Sequence, residues 1–331
     1  VKAEKALNAV TVAMKCGEDT HVLVLHVVSI EETVVSLVHR QHGEDRGYNC
    51  YNEGSEFLPD LCPTHLFILS VIVQDEENHA DVHGNIRHCW YVEILVNANI
   101  DIRRADSRFK TKISWLDSKH SFSFGHHFDP TNMGHGLLLV SNDDVVRAGS
   151  GFNTHPHQDM EIVTWVLSGE LEHKDSEGHH GLLYPGLAQR MSAGTGIWHS
   201  EMNPRGDQDV HFIQMWVQPD TERINPSYQQ LDINGELNKG GLVPIASGKG
   251  HDAAISIRQR GAVLYGGRLK ADEEVVVPDD VHVHVFVAKG DGDLEGAGRL
   301  IQGDAARLTR AGDLRLQAGP EGAEVLIWAT S

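Results

Sequence analysis

Two short, well-separated words hold the side chains best suited to chemistry: His155-Pro156-His157 and His199-Ser200-Glu201. Alternate side chains of a β-strand project from the same face, so each word presents two donors side by side. The first offers two imidazoles, the second an imidazole and a carboxylate. If the two strands face each other across a small barrel, the four groups converge on one point. Three neutral nitrogens and one anionic oxygen suit a first-row transition metal such as iron, zinc, manganese, nickel or copper. An isolated His-x-His is more often a pair of ordinary polar positions, and it is the second word that turns the reading towards ligation. Four protein ligands leave one or two coordination positions for water, substrate or dioxygen, which marks a catalytic rather than a structural metal. Pro156 has a fixed φ and no N–H, so it fits only a strand position whose N–H needs no partner; a kink or bulge there would aim both imidazoles inwards.

Strands of suitable length surround these words. Residues 121–125, 137–140, 162–167, 170–174, 189–192 and 211–217 read as strands, separated by turn signals at Asp129-Pro130, Asn142-Asp143-Asp144, Gly149-Ser150-Gly151, Ser168-Gly169 and Tyr184-Pro185-Gly186. A polar connection over 219–241 leads to a second series at 254–258, 262–264, 274–277, 281–287, 307–308, 314–316 and 323–328. The pattern predicts an all-β protein of two similar modules in tandem, each a sandwich or barrel.

The 331 residues allow two or three domains with a proper core. A net charge of −19 argues against direct contact with a nucleic-acid backbone or an anionic membrane, while leaving protein partners open. Cys16, Cys50, Cys62 and Cys89 all precede residue 100 and show no C-x-x-C spacing, so reduced thiols in the cytoplasm are the expectation rather than a disulfide framework. The longest apolar runs, at 22–28 and 66–73, are too short to span a bilayer, and the start does not read as a signal peptide. It lacks Met, so a missing leader stays open. Residues 1–100, with strand-like runs at 22–28, 34–38 and 67–73, form an extension of unknown role and no recognisable site.

The residues from Gly151 to Glu161, continuing to Gly169, resemble the first cupin motif, and Gly196-Ile-Trp-His199-Ser-Glu-Met-Asn203 resembles the second. The narrower words H-P-H-x-x-M-E-I-V-T-x-V-L-S-G, E-H-x-D-S, Q-R-M-S-A-G-T-G-I-x-H-S-E and H-F-x-Q-x-W are similar to those of the pirin family, in its bacterial quercetin 2,3-dioxygenase-like branch. The resemblance runs from about Ile102 to the C-terminus. It implies two tandem cupin (jelly-roll-like) β-barrels: residues 101–230 as the metal-binding domain and 231–331 as a metal-free one. By matching position the ligands fall on His155, His157, His199 and Glu201, with Fe(II) the favoured ion and Zn, Mn, Ni or Cu open. Gln158 stands where many relatives carry Arg, and Gly194 replaces the Pro of the general cupin motif. The implied reaction is cleavage of a flavonol such as quercetin by dioxygen with release of carbon monoxide, with Glu201 as general base. The alternative is an iron-binding redox sensor that modulates transcription factors or metabolic enzymes without turnover.

Other residues carry weaker expectations. Glu161 shares the strand parity of His155 and His157 and is expected either to orient an imidazole or to form a salt bridge at the barrel mouth. Trp198, beside a ligand, is the first choice among Trp165, Trp216, Phe152, Met191 and Met215 to line a pocket for a planar aromatic substrate; Gln214 is a further candidate near the site. His282-Val283-His284 repeats the first word, but no later His follows it, which predicts a structural role. His126, His127 and His135 are read as loop residues and His179-His180 as an exposed hairpin tip.

Overall fold

The structure, a computed structural model, describes residues 99–331 throughout and, ahead of them, the backbone of separate strands alone. The expected strands at 22–28 and 34–38 fall within strands Asp19–Val28 and Val34–Gln41, and the one at 67–73 overlaps strand Ser70–Asp75. Cys50, Cys62 and Cys89 lie outside the described residues. Among the described residues no helix is long and apolar enough to cross a membrane.

The first barrel is built from two antiparallel sheets. The larger has the order β2 (Phe109–Lys112), β3 (Leu116–His120), β4 (Leu138–Val146), β11 (Val210–Val217), β6 (Glu161–Ser168), β9 (Leu187–Ser192) and β12 (Ser227–Asp232). The smaller has the order β5 (Gly151–His157), β10 (Ile197–Met202), β7 (Leu171–Asp175) and β8 (His180–Leu183). β6 is flanked on both sides and reads Ile-Val-Thr-Trp-Val-Leu, a continuous buried run rather than an alternating one, as expected of a strand covered on both faces. Leu116, Val146 and Phe212 of the larger sheet pack with Leu171 and Leu183 of the smaller, closing the barrel.

The second barrel is a single sheet ordered β14 (Ile255–Ser256), β13 (Val243–Ser247), β15 (Ala262–Leu269), β20 (Arg315–Thr330), β17 (His282–Leu294), β19 (Ala305–Thr309) and β1 (Asn99–Arg103). β16 (Glu274–Val276) joins β20 and β18 (Gly298–Ile301) joins β17. Its edge strand β1 comes from ahead of the first barrel in sequence and pairs antiparallel with β19, Ala305 opposite Arg103 and Thr309 opposite Asn99. One apolar cluster is common to both barrels, with Phe122, Trp165 and Met215 on one side and Ile245, Phe286 and Trp328 on the other. Trp165 donates its indole N–H to Glu324 at 2.8 Å, and Trp328 donates to Met215 Sδ at 3.2 Å. Both rings are fully buried, and truncating such a residue costs about 3–5 kcal/mol.

The two tandem all-β barrels are as expected from the strand pattern, with local differences. Asn142, Asp143 and Asp144 are not a turn but the buried middle of β4. Each has a partner that makes burial tolerable: Asn142 with His120 Nδ1 at 2.8 Å, Asp143 with Arg108 at 3.0 Å and His211 at 2.6 Å, and Asp144 with Ser118. Residues 121–125 do not form a strand; β3 ends at His120, and only an isolated bridge joins Phe124 to His127. The separate strands expected at 314–316 and 323–328 are one, β20, which bends through Gly319-Pro320-Glu321-Gly322, with Gly322 at φ 77°.

Candidate metal centre

β10 is the middle of the site. It lies between β5 and β7, so each of its inward residues has a neighbour on both sides. His199 faces His155 on β5 and Asp175 on β7; Glu201 faces Phe152 and His173. The β5–β10 register shifts between Phe152 and His155, the bulge expected ahead of Pro156. β5 is an edge strand, where a missing N–H is harmless.

The outcome is convergence. One ring nitrogen each of His155, His157 and His199 lies within 4.8 Å of the others, the one such cluster of three among the described residues. His155 Nδ1 sits 2.7 Å from the carbonyl oxygen of Asn153, which takes the Nδ1 proton and leaves Nε2 as a lone-pair donor. The Nε2 atoms of His157 and His199 are buried and have no hydrogen-bond partner. Burial first, then the facing His199 and His155, lower His157 to about 4. Burial, then His155 and His173, lower His199 to about 3. Neutral imidazoles with unpartnered nitrogens turned to one point fit a metal ion, since buried polar atoms otherwise find partners.

Glu201 is buried, its Oε2 4.0 Å from His199 Nε2. Its orientation is fixed by Gln214, whose Nε2 donates to both carboxylate oxygens at 2.8 Å. Trp216 in turn donates its indole N–H to Gln214 Oε1 at 3.2 Å, which decides which end of the amide faces Glu201. The Trp216 ring stands edge-on to His157, with centroids 4.8 Å apart. His157, Trp216, Gln214 and Glu201 are thus one connected arc from β5 through β11 to β10. Asp144 lies in the same interior. Burial pushes it up to about 7 against a hydrogen bond from Ser118, with the charges of Asp143 and Glu201 adding to the rise.

Of the two alternatives for Glu161, the structure has the ion pair and not the contact with an imidazole: its carboxylate accepts from Ser192 Oγ at 2.9 Å and from the Arg258 backbone N–H at 3.1 Å, with Arg190 4.0 Å away. Strand parity failed because Asp159, at φ 44°, turns the chain from β5 into β6, which belongs to the other sheet. Trp198 is 54% exposed and opposite Pro156, on the face of β10 away from His199 and Glu201. The aromatic ring against the histidines is Trp216, while Trp165, Met191 and Met215 are core. His284 is buried beside Phe122, with centroids 5.6 Å apart. His135 Nε2 lies 3.0 Å from the Leu308 carbonyl oxygen and His127 Nε2 3.1 Å from Thr111 Oγ1, so neither is simply a solvated loop residue. Two residues behind His199, His173 and Asp175, stood in the sequence only within the family word E-H-x-D-S, with no role assigned to them; the β7–β10 pairing brings them to the site.

The two ligand strands do not face each other across the barrel but are hydrogen-bonded neighbours in one sheet. A metal-suited cluster on such paired strands of a small antiparallel barrel, with a second barrel in tandem, defines a bicupin. The Pirin family profile matches residues 102–217, and the profile described as the quercetinase C-terminal cupin domain matches 244–328. A Mycobacterium tuberculosis protein with the provisional name quercetin 2,3-dioxygenase is 56% identical over 234 residues, covering 70% of this chain and 96% of its own. The quercetin 2,3-dioxygenase of Escherichia coli K12 is 40% identical over 199 residues, 60% of this chain and 84% of that one. The crystal structure of the bacterial pirin YhhW from Escherichia coli in complex with nickel(II) superposes with a TM-score of 0.63 at 36% identity, covering 70% of this chain and 98% of that one. The chain belongs to the pirin family.

Proposed function

We propose that this protein is a metal-dependent dioxygenase that cleaves a flavonol such as quercetin, releasing carbon monoxide. In this reading residues 101–230 are the catalytic domain, 231–331 a metal-free one, and the protein works in the cytoplasm on a small planar aromatic substrate and dioxygen. The observation that carries it is the convergence of three imidazole nitrogens within 4.8 Å, two of them buried and unpartnered. The names of the M. tuberculosis and E. coli relatives support the substrate class.

His155, His157 and His199 would hold the ion through Nε2, with Glu201 as the fourth ligand and Fe(II) the favoured metal. Bound there, the metal supplies Lewis acidity that lowers the pKa of the flavonol 3-hydroxyl. Glu201 accepts that proton on a carboxylate oxygen, as a general base must be within hydrogen-bond reach of it. Gln214 holds the carboxylate plane while this happens, because its amide is itself held by Trp216. His155 and His157, less buried than His199, are on the side from which a substrate arrives.

The test is to incubate iron-loaded protein with quercetin in air and follow loss of flavonol absorbance together with carbon monoxide. Turnover that disappears in Glu201→Gln supports the reading. No turnover with iron, nickel, copper or manganese overturns it in favour of the redox-sensing alternative, for which the same histidines would serve.

A further inference from the structure

Behind His199, on the side away from the other two histidines, lies a row of polar groups that the proposed reaction does not use. His199 Nδ1 is 3.4 Å from His173 Nδ1. His173 Nε2 is 3.1 Å from Asp175 Oδ2. Asp175 also takes the backbone N–H groups of Glu177 and His179 at 3.0 and 2.9 Å, and His179 Nδ1 at 3.0 Å. His173 and the Asp175 side chain are buried, whereas His179 reaches the surface. Tyr228 packs against both rings, 4.9 Å from His173 and 5.3 Å from His179. Burial alone would raise Asp175, but hydrogen bonds from His173 and His179 hold it below the ordinary carboxylate range.

These contacts dictate where protons sit. An ionised carboxylate only accepts, so the proton on His173 that faces Asp175 is on Nε2. A neutral imidazole then has its lone pair on Nδ1, which turns towards His199. His199 must donate from its own Nδ1, and its lone pair is left on Nε2. That is the atom buried without a partner and turned towards His155 and His157. The opposite arrangement would point an N–H into the cluster with nothing to accept it.

We infer that His173 and Asp175 are positioning residues: a carboxylate–imidazole relay that fixes the tautomer and ring plane of His199 and so sets the metal affinity of the centre. The inference rests on the proposed metal site and adds to it the two residues that make one ligand ready. Outer partners of this kind contribute roughly 10–100-fold to metal affinity. Asp175 also organises the β7–β8 turn, so His173 is the cleaner place to intervene.

Nickel(II) affinity of the full chain is measured by competition with a chelator for the unaltered protein, His173→Phe, His173→Asn and His199→Ala. His173→Phe removes the acceptor and is expected to weaken nickel binding by about 10–100-fold. His173→Asn retains an acceptor oxygen near the Nδ1 position and is expected to recover most of the loss, which a role in packing alone would not produce. Binding by His173→Phe within twofold of the unaltered protein, or no recovery in His173→Asn, overturns the relay. If His199→Ala loses nickel in that experiment, the metal site stands without the relay; if it too binds normally, both fall. A second measurement needs no folded His173 variant. Nitrogen NMR of the metal-free protein with labelled histidine is expected to show His199 as the Nδ1–H tautomer, assigned by its loss in His199→Gln, and an Nε2–H tautomer overturns the inference.

Discussion

At the scale of single residues, the centre is held by atoms whose alternatives are closed off. His155 gives its Nδ1 proton to the Asn153 carbonyl, and the Nε2 atoms of His157 and His199 have nowhere else to go. His157→Ala or His199→Ala is therefore expected to remove most bound metal, while His284→Ala, in the second barrel, leaves it unchanged. Elemental analysis after dialysis decides this, and equal loss in all three would mean that the second barrel is occupied as well. The two ligand words were legible because strand alternation is a local rule that survives within three residues. It misled one residue away, at Trp198, where adjacency in sequence means the opposite face, and across Asp159, where the strand ends. His173 and Asp175 were illegible for a different reason: they reach the site only through the pairing of β7 with β10. No spacing along the chain encodes that pairing.

At the scale of elements, the site depends on how closely β5 lies against β10. Gly151 is opposite Met202, and a Cβ there would come within 2.3 Å of the Glu201 backbone oxygen and 2.6 Å of Met202 Cα. The obstacle is backbone and cannot swing aside. Gly151→Ala is expected to cost about 1–3 kcal/mol, the usual range for overpacking, and to displace the segment that holds Glu201. A lowered thermal midpoint with weaker nickel binding is the expected pair of results; an unchanged midpoint would show that β10 shifts freely. The strands themselves were mostly readable from apolar runs and turn residues. The failures came where burial overrode composition. Asn142-Asp143-Asp144 has the composition of a turn, yet β4 continues through it because Arg108, His120, His211 and Ser118 supply partners.

At the scale of the whole molecule, buried histidines make the metal-free protein sensitive to acid. His284 is held well below its ordinary value, by burial and then by Arg307, His135 and Arg108. His157 and His199 lie at about 4 and about 3. The unfolded chain takes up protons on these groups from about pH 6.5 downwards, before the folded one does, so stability falls as pH falls. Each contributes up to about 1.4 kcal/mol per pH unit until its folded value is reached. Asp144 has the opposite sign: its raised folded value gives stability present below about pH 4 and lost as pH rises through about 7. Urea midpoints of the metal-free protein are expected to drop from pH 6.5 to 4, and less steeply in His284→Phe. Equal slopes would mean that folded His284 is already protonated in this range.

β1 gives the chain its last property. The strand precedes the first barrel yet completes the sheet of the second, where Ile100 and Ile102 pack on its apolar cluster. A protease nicking the connection after β12 would release no pair of self-sufficient halves, because the leading fragment would still be clasped to the trailing one. Neither barrel is a detachable cassette, and a designer wishing to transplant the metal site must carry the whole laced unit or supply a substitute strand.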